Sequence, residues 1–449
     1  MTKLDKAKED ILEQVKKDKV KFVNLQFTDI FGAAKNVDIT VEKLEDSLES
    51  GTWFDGSSIE GFARIHESDM VLKPDPTTYA LIPWRSGKHA TARLIADIET
   101  PDGKPFEGSP RNLLKKSLAK IEKMGLKFFT GPELEFFLFK TDDGKISPVP
   151  HDVGGYFDHS GRDAATDVRR DIILALEAMG MQVEMSHHEV APGQHEIGLR
   201  YSEALRSADN STTLKHVVKS IAAAHDLYAT FMPKPIFGIN GSGMHVHQSL
   251  YNTKTGKNAF YDSKDTYHLS KTAKQFIAGQ LAHAKEMAGV IAPTVNSYKR
   301  LTPGYEAPVY ICWGNINRSA LIRVPRISPG KEQSTRLELR CPDPSSNIYL
   351  AFTVMLEAGL DGVKKNMNAP EPVEEDVYEF DDSELKKFYI ESLPADLGEA
   401  IKEMEKSKFL KDAMGATLYE KYISAKKLEW DEYRIQVTQW EIDKYLEKM

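Results

Sequence analysis

A chain of 449 residues exceeds one ordinary hydrophobic core, so two or three domains are expected. It is 41% hydrophobic and 28% charged, with no apolar run near the ~18 residues of a membrane span, which excludes a helical membrane protein; a net charge of −8 with scattered Lys and Arg argues against nucleic acid as a principal partner. Two cysteines, Cys312 and Cys341, without a CxxC pair, exclude a disulfide scaffold and a thiolate zinc site and fit a reducing, cytoplasmic compartment.

The first twenty residues carry charges at helical spacing and lack a signal-peptide core, so they read as an amphipathic helix. VKFVNLQFTDIFGAAKNVDI alternates apolar residues around Phe31-Gly32 and predicts a hairpin. A Gly/Ser loop at 52–61 and short Pro-punctuated strands follow, giving a small strand-rich domain over 1–105. PDGKPFEGSP is the linker candidate. Ser109-Pro110 then starts a helix that Gly125 closes, and a larger α/β domain is expected over 106–449. Strands are predicted at 126–139, 181–185, 194–200, 243–250, 320–326 and 335–341, helices at 164–179, 203–230, 270–290 and 345–358, and a Lys/Glu-rich helical tail from about Asp382.

Several of these strands carry charge where a core face should be. Glu133 and Glu135 lie two apart in an aromatic strand, so they share a face with Cα atoms roughly 6.6–7 Å apart. Alone they could be the wet side of a half-exposed strand. The pattern recurs, however: Arg336, Glu338 and Arg340 share one face of RLELR, His245 and His247 one face of MHVHQ, and Glu189 and Glu196 flank a Pro-Gly turn. A lone buried carboxylate is costly unless a cation compensates it, so one sheet with a polar cleft is the economical explanation. Carboxylates and neutral imidazoles without thiolates suit Mg²⁺ or Mn²⁺, and five carboxylates overcharge one such ion, which implies two or more. The arginines 300, 318, 323, 336 and 340 supply forks for carboxylate and phosphate groups. Metals and arginines without a nucleophile motif point to phosphoryl transfer. There is no GxxxxGK[ST] loop and no GxGxxG after a strand; the Gly-rich stretch from Gly238 fits neither spacing.

At these motifs the sequence resembles the type I glutamine synthetases of bacteria and archaea over essentially the whole chain. The carrying segments are DGSSIE (55–60), GPELEFF (131–137), HHEVAPGQHE (187–196), KPIFGINGSGMHVH (234–247), RLTPGYEAP (300–308), NRSA (317–320) and RCPDPSSN (340–347). The resemblance implies an α+β fold: a small N-terminal β-grasp domain plus a catalytic α/β domain with a curved, mainly antiparallel sheet. It implies one metal on Glu135, Glu189 and Glu196 and a second on Glu133, His245 and Glu338. L-Glutamate would lie against Asn240, Gly241, Arg300, Glu306 and Arg340. ATP would meet Glu184, Tyr201, His247, Ser249, Arg323, Lys331 and Arg336, with Arg318 on the transferring phosphoryl group. In the implied reaction the γ-carboxylate attacks ATP to give an acyl phosphate, and ammonium, deprotonated by Asp55, displaces phosphate, while Glu306 shields the intermediate.

The family's two stacked hexamer rings would make a homododecamer with active sites between subunits, Asp55 and Trp53 reaching into a neighbour's cleft and the tail around Trp440 docking on the opposite ring. The short chain and the Glu189–Glu196 spacing resemble the alpha subtype. Members modified by adenylylation carry a Tyr where Ser392 stands here, with Tyr389 displaced, so no such modification is expected. Arg64 matches the alpha-type residue linked to glutamine feedback inhibition. Arg85 and Arg170 are conceivable anchors for 2-oxoglutarate, and a small PII-type regulator is a possible partner. Two rival readings remain open at this point: a related ligase joining glutamate to another amine, and a catalytically dead sensor.

Overall fold

The chain opens with α1 (Lys3–Lys17), which ends in the turn before β1 (Phe22–Thr28). Ile11 and Val15 of α1 share a core with Val23, Leu25 and Phe27, the alternate residues of β1. β1 and β2 (Ala34–Thr40) form the expected antiparallel hairpin, in register from Phe22↔Thr40 to Thr28↔Ala34. Its turn needs Gly32, which has φ +82° and sits so close to Asn347 that a Cβ would lie 2.8 Å from that residue's Cα. Next come α2 (Leu44–Ser50), β3 (Thr52–Asp55), β4 (Asp69–Pro74), β5 (Ala80–Leu81) and β6 (Thr91–Glu99). The strands make one six-stranded sheet of order β2-β1-β6-β4-β3 with β5 beside β6, and β6 runs parallel to β1. This computed structural model describes residues 3–57, 59, 69–142, 144–159, 161–304 and 307–449, with side chains from residue 6.

Ser109 caps α3 (Pro110–Lys123) through Asn112 N, Pro110 takes the first helical position, and Gly125 follows the helix at φ +76°. The chain then enters β7 (Leu126–Asp142), a 17-residue strand that serves as the spine of the larger sheet. The further elements are β8 (Lys145–Pro150), α4 (Thr166–Ala178), β9 (Val183–His188), β10 (Gln194–Leu199), β11 (Ser202–Glu203), α5 (Ala204–Ala224), β12 (Leu227–Thr230), β13 (Met244–Asn252), α6 (Lys271–Ala282), α7 (Ala284–Ile291), α8 (Ser297–Arg300), β14 (Tyr310–Gly314), β15 (Ala320–Arg323), β16 (Leu337–Leu339) and α9 (Ile348–Lys364). The tail holds α10 (Asp382–Lys387), α11 (Leu397–Lys406), α12 (Lys408–Met414), α13 (Ala416–Arg434) and α14 (Gln439–Tyr445). The ten-stranded sheet runs β14-β15-β16-β13-β7-β10-β9, with β8, β11 and β12 also paired to β7. Within this sheet the β14–β15 pair is parallel, and the other pairs among the described residues are antiparallel.

Side-chain alternation divides β7 between two environments. Phe128, Leu134, Phe136 and Leu138 join the main core with Leu214 and Val218 of α5, Phe276 of α6 and Phe352 of α9. Glu133 and Glu135 turn to the opposite face. Polar bonds join the two regions: Arg111 reaches Asp75 (2.8 Å) and Asp97 (2.5 Å) on one side and Asp209 (2.9 Å) on the other, and Asn347 Nδ2 donates to Asp29 O at 3.0 Å.

Two predicted helices end differently. The stretch 203–230 stops at Ala224, because Asp226 takes φ +57° and Leu227–Thr230 pair with β7 as an edge strand. The stretch 270–290 breaks at His283 into α6 and α7.

Candidate active site

Strand register assembles the first cluster. Glu133 of β7 pairs with His245 of β13, while Glu338 of β16 faces both His247 of β13 and Arg323 of β15. Ligand atoms of Glu133, His245 and Glu338 all lie within 4.8 Å of one another. Glu338 is 2% exposed and takes Arg323 Nη1 at 2.7 Å and Arg340 Nη1 at 2.8 Å. Burial pushes its carboxyl up, but His247, Arg340 and His245 outweigh that and hold it below the ordinary value. Glu133 is likewise depressed: burial opposes, and the bonds from His245 and His247 win. His247 Nδ1 faces Arg336 Nε at 3.3 Å, and its Nε2 donates to Glu133 at 2.9 Å, which fixes the orientation of the ring. Burial, and then Arg340 nearby, hold the His245 imidazole below its ordinary value.

The second cluster lies on the other side of β7. Glu196 of β10 pairs with Glu135 of β7 and with His187 of β9. Ligand atoms of His187, Glu189 and Glu196 again lie within 4.8 Å of one another. Glu135 Oε2 accepts from Gln194 Nε2 (3.0 Å) and Gly243 N (2.9 Å). Neither Glu135 nor Glu196 forms an ion pair with a lysine or arginine among the described residues. Burial first, then the neighbouring Glu189 and Glu196, raise the Glu135 carboxyl well above its usual range. Glu196 Oε1 is buried and accepts no hydrogen bond from the described residues, with His187 Nε2 at 3.6 Å. An orphaned buried oxygen beside crowded carboxylates fits a bound divalent cation, and the oxygen-rich donor set fits Mg²⁺ or Mn²⁺.

Two cavities meet over these clusters. One, of about 250 Å³, contains all six carboxylate and imidazole groups named as metal ligands from the sequence, together with Asn240, Gly241, Arg300, Arg318, Arg323 and Arg340. The other, of about 420 Å³, is bordered by Glu184, Tyr201, His247, Ser249 and Arg336. Glu133 borders both. Arg300 is anchored, its Nη1 donating to Cys341 O (2.8 Å) and its Nη2 to Arg340 O (3.1 Å). Gly243 leaves room for it, since a Cβ there would lie 2.5 Å from Arg300 Nη2.

Other sequence-predicted residues fall elsewhere. Lys331 is exposed and does not border the larger cavity; Gln333 does. Asp55 is exposed at the end of β3, accepts from Ser57 N at 2.8 Å, and is not part of the cleft of its own chain; Trp53 is 59% exposed. Glu306 and Arg64 lie outside the described residues. Arg85 borders a separate cavity with Trp84, His89 and His216, and Arg170 pairs with Asp167 on the surface of α4. Tyr389 is 91% exposed and Trp440 62%. Sequence reasoning gave no role to His187 or Tyr156, which border the smaller cleft, or to the Phe129–Tyr251 pair beside the larger one, with ring centroids 4.7 Å apart. His187 stood inside a quoted motif; the aromatic pair is joined only by strand pairing.

Fold and cleft together define a two-domain protein with a carboxylate–imidazole double site beside a nucleotide-sized cavity. The chain belongs to the glutamine synthetase family: residues 19–101 match the glutamine synthetase β-grasp domain and residues 107–445 the glutamine synthetase catalytic domain. It is 53% identical to the glutamine synthetase of Methanosarcina mazei over 98% of both chains, and 49% identical to that of Staphylococcus aureus over 100% of both. A solved GmaS–ADP complex (conformation 1) matches with a TM-score of 0.88 at 31% identity, covering 100% of both chains.

Proposed function

We propose that this chain is a glutamine synthetase that ligates ammonia to the γ-carboxylate of L-glutamate with ATP, releasing glutamine, ADP and phosphate. The observation that carries the reading is Glu133, shared between the cleft with six metal-type ligands and the cavity sized for a nucleotide. A phosphoryl group crossing from one space to the other passes Glu133 and enters the cleft that the remaining five ligands line.

Glu133, His245 and Glu338 would hold one Mg²⁺ or Mn²⁺, and Glu135, Glu189 and Glu196 another. Bound there, the ions supply charge neutralisation for phosphate and carboxylate oxygens. ATP occupies the larger cavity against Glu184, Tyr201, His247, Ser249 and Arg336, with Arg323 from the adjoining cleft. Glutamate lies against Asn240, Gly241, Arg300 and Arg340. One γ-carboxylate oxygen attacks the γ-phosphorus, the bond to ADP breaks, and an acyl phosphate forms. Arg318 and Arg340 face the charge that develops. Ammonium first gives a proton to Asp55 of a neighbouring subunit; the ammonia so formed attacks the acyl carbon, phosphate leaves with the C–O bonding pair, and the surplus proton on nitrogen is lost to give the amide. Glu306 completes the site by keeping water out.

That use of Asp55 makes the active form an oligomer, which we take to be the dodecamer of type I enzymes, of the alpha subtype and in the cytoplasm. The exposure of Asp55, Trp53 and Trp440 supports it. No described helix is long and apolar enough to cross a membrane. Regulation by glutamine through Arg64, by 2-oxoglutarate near Arg85 and Arg170, or by a PII-type protein, and no adenylylation at Tyr389, belong to the same reading. The test is phosphate release in the presence of ATP, glutamate and ammonium. Release should require all three; release unaffected by omitting ammonium would refute the ligase reading, and a preference for another amine would move the substrate.

A further inference from the structure

Behind the Glu135–Glu189–Glu196 side of the cleft lies a closed knot of His151, Asp152, Asp163, Arg169, His188 and His195. Its composition invites a metal, and ligand atoms of His151, Asp152 and His195 do lie within 4.8 Å of one another. The hydrogen bonds argue otherwise. Arg169 Nη1 lies 2.9 Å from His195 Nδ1, and a guanidinium only donates, so the ring's proton sits on Nε2 and leaves no lone pair for an ion.

Asp152 is the hub of this knot. Its Oδ1 accepts from Gly193 N (2.9 Å), Gly154 N (3.3 Å) and His188 Nε2 (3.1 Å). Its Oδ2 accepts from Ala164 N (3.1 Å) and lies 3.0 Å from His151 Nε2. We propose that Asp152 is a positioning residue for the metal-binding carboxylates Glu189 and Glu196, acting through the turn that joins them. Seven positions separate these glutamates, and Asp152 holds that stretch at its start and at its middle. At the start His188 relays the hold, its Nδ1 donating to Glu189 O at 2.7 Å. In the middle is Gly193, with φ +70° and so little room that a Cβ would lie 2.9 Å from Leu138 O. The same carboxylate ties down the loop bearing Tyr156, because Gly154 N ends on it and Phe157 N donates to His188 O at 3.1 Å. One charged group therefore sets the spacing of two carboxylates and the approach of the cleft-lining Tyr156. A supporting residue of this kind, bonded to the residues beside the ligands, typically changes metal affinity by about 10–100-fold when lost.

The inference rests on the reading that these glutamates hold a divalent cation. Titrating the full-length enzyme with Mn²⁺ and following free and bound ion by electron paramagnetic resonance tests both. Loss in a His245→Ala control marks the ion at Glu133, His245 and Glu338, because that change removes a ligand from this set and leaves His187, Glu189 and Glu196 in place. Wild type should bind both ions. Asp152→Asn should weaken the unmarked ion about 10–100-fold and the marked ion less than about twofold. The Mg²⁺ concentration for half-maximal activity should rise in step, with turnover largely restored at saturation. If Asp152→Asn does not fold, His188→Gln, which keeps a donor toward Asp152 but loses the bond to Glu189 O, should weaken the same ion alone. Equal affinities in variant and wild type, or both ions weakened together, would overturn the inference. No Mn²⁺ binding by wild type would instead remove the metal reading beneath it.

Discussion

The two metal-type clusters sit on either side of one strand, built from the same residue types, yet they solve opposite electrostatic problems. On the β13 side, Glu338 is already neutralised by Arg323 and Arg340, and Glu133 accepts a hydrogen bond from His247. On the β10 side, Glu135 has a backbone and an amide donor, neither Glu135 nor Glu196 pairs with a lysine or arginine among the described residues, and burial and then its neighbours drive the Glu135 carboxyl up. The carboxylates of the first cluster are balanced by the protein's own arginines. Those of the second are crowded together, a charge that a divalent cation held there would cancel.

The largest effect expected from breaking this contrast is at Glu338. Glu338→Ala leaves Arg340 and Arg323 without their partner, and losing one member of a buried pair costs about 3–5 kcal/mol. Activity should fall more than about 100-fold, beyond the range for a merely supporting residue near a metal. Thermal unfolding with and without Mg²⁺ measures the first effect; an unfolding temperature unchanged from wild type would mean the arginines find other partners.

Glu135→Gln should do the reverse to stability. It keeps the acceptor for Gly243 N and removes the crowded charge, so the metal-free protein should be at least as stable as wild type. The sign follows from linkage. The folded-state value of Glu135 lies above that of the unfolded chain, so between the two the folded protein holds the extra proton and wild-type stability falls as pH rises. The advantage of the variant, measured in chelator, should therefore be smallest near pH 4.5 and grow toward neutrality. Added Mg²⁺ should reverse the ranking, since a ligand at 100 times its Kd contributes about 2.7 kcal/mol to the protein that binds it. A constant offset at all pH values would sink the account of crowding.

Much of this contrast was legible before any coordinates. Two-residue spacing put Glu133 with Glu135 and His245 with His247, because strand periodicity is local and strict. The compensation pattern was not legible, since it depends on which strands neighbour β7. Nothing in RLELR says that Glu338 lies against Arg323 rather than against Glu196. The arginines also looked alike, yet Arg300 is spent largely on carbonyls of the 340–342 segment while Arg340 grips a carboxylate. Leu227–Thr230 read as helix because its apolar spacing is compatible with either period; the open edge of β7 decided it.

Smaller changes sharpen the picture where cleft meets substrate. Gly243→Ala puts a Cβ 2.5 Å from Arg300 Nη2 and must displace that side chain. A shift of this size should raise the KM for glutamate about 10-fold, equivalent to roughly 1.4 kcal/mol, with the KM for ATP nearly constant. If both KM values moved together, the strain would have spread through β13 to the nucleotide cavity.

The smallest contrast separates two cations placed near ATP by sequence reasoning. Arg336 borders the larger cavity and bonds His247, which in turn bonds Glu133, so it holds one wall of the space as well as one charge. Lys331 stands exposed on the turn before β16 and takes no part in that wall. Arg336→Ala should raise the KM for ATP about 3–10-fold, the worth of one hydrogen bond and its charge. Lys331→Ala should change it less than about twofold, within the range of an exposed charge screened by salt. Raising the salt concentration discriminates further, because the Arg336 effect passes through a partly buried bond and should persist. An equally large, salt-sensitive loss in Lys331→Ala would mean that the 328–334 turn closes over the nucleotide when ATP binds.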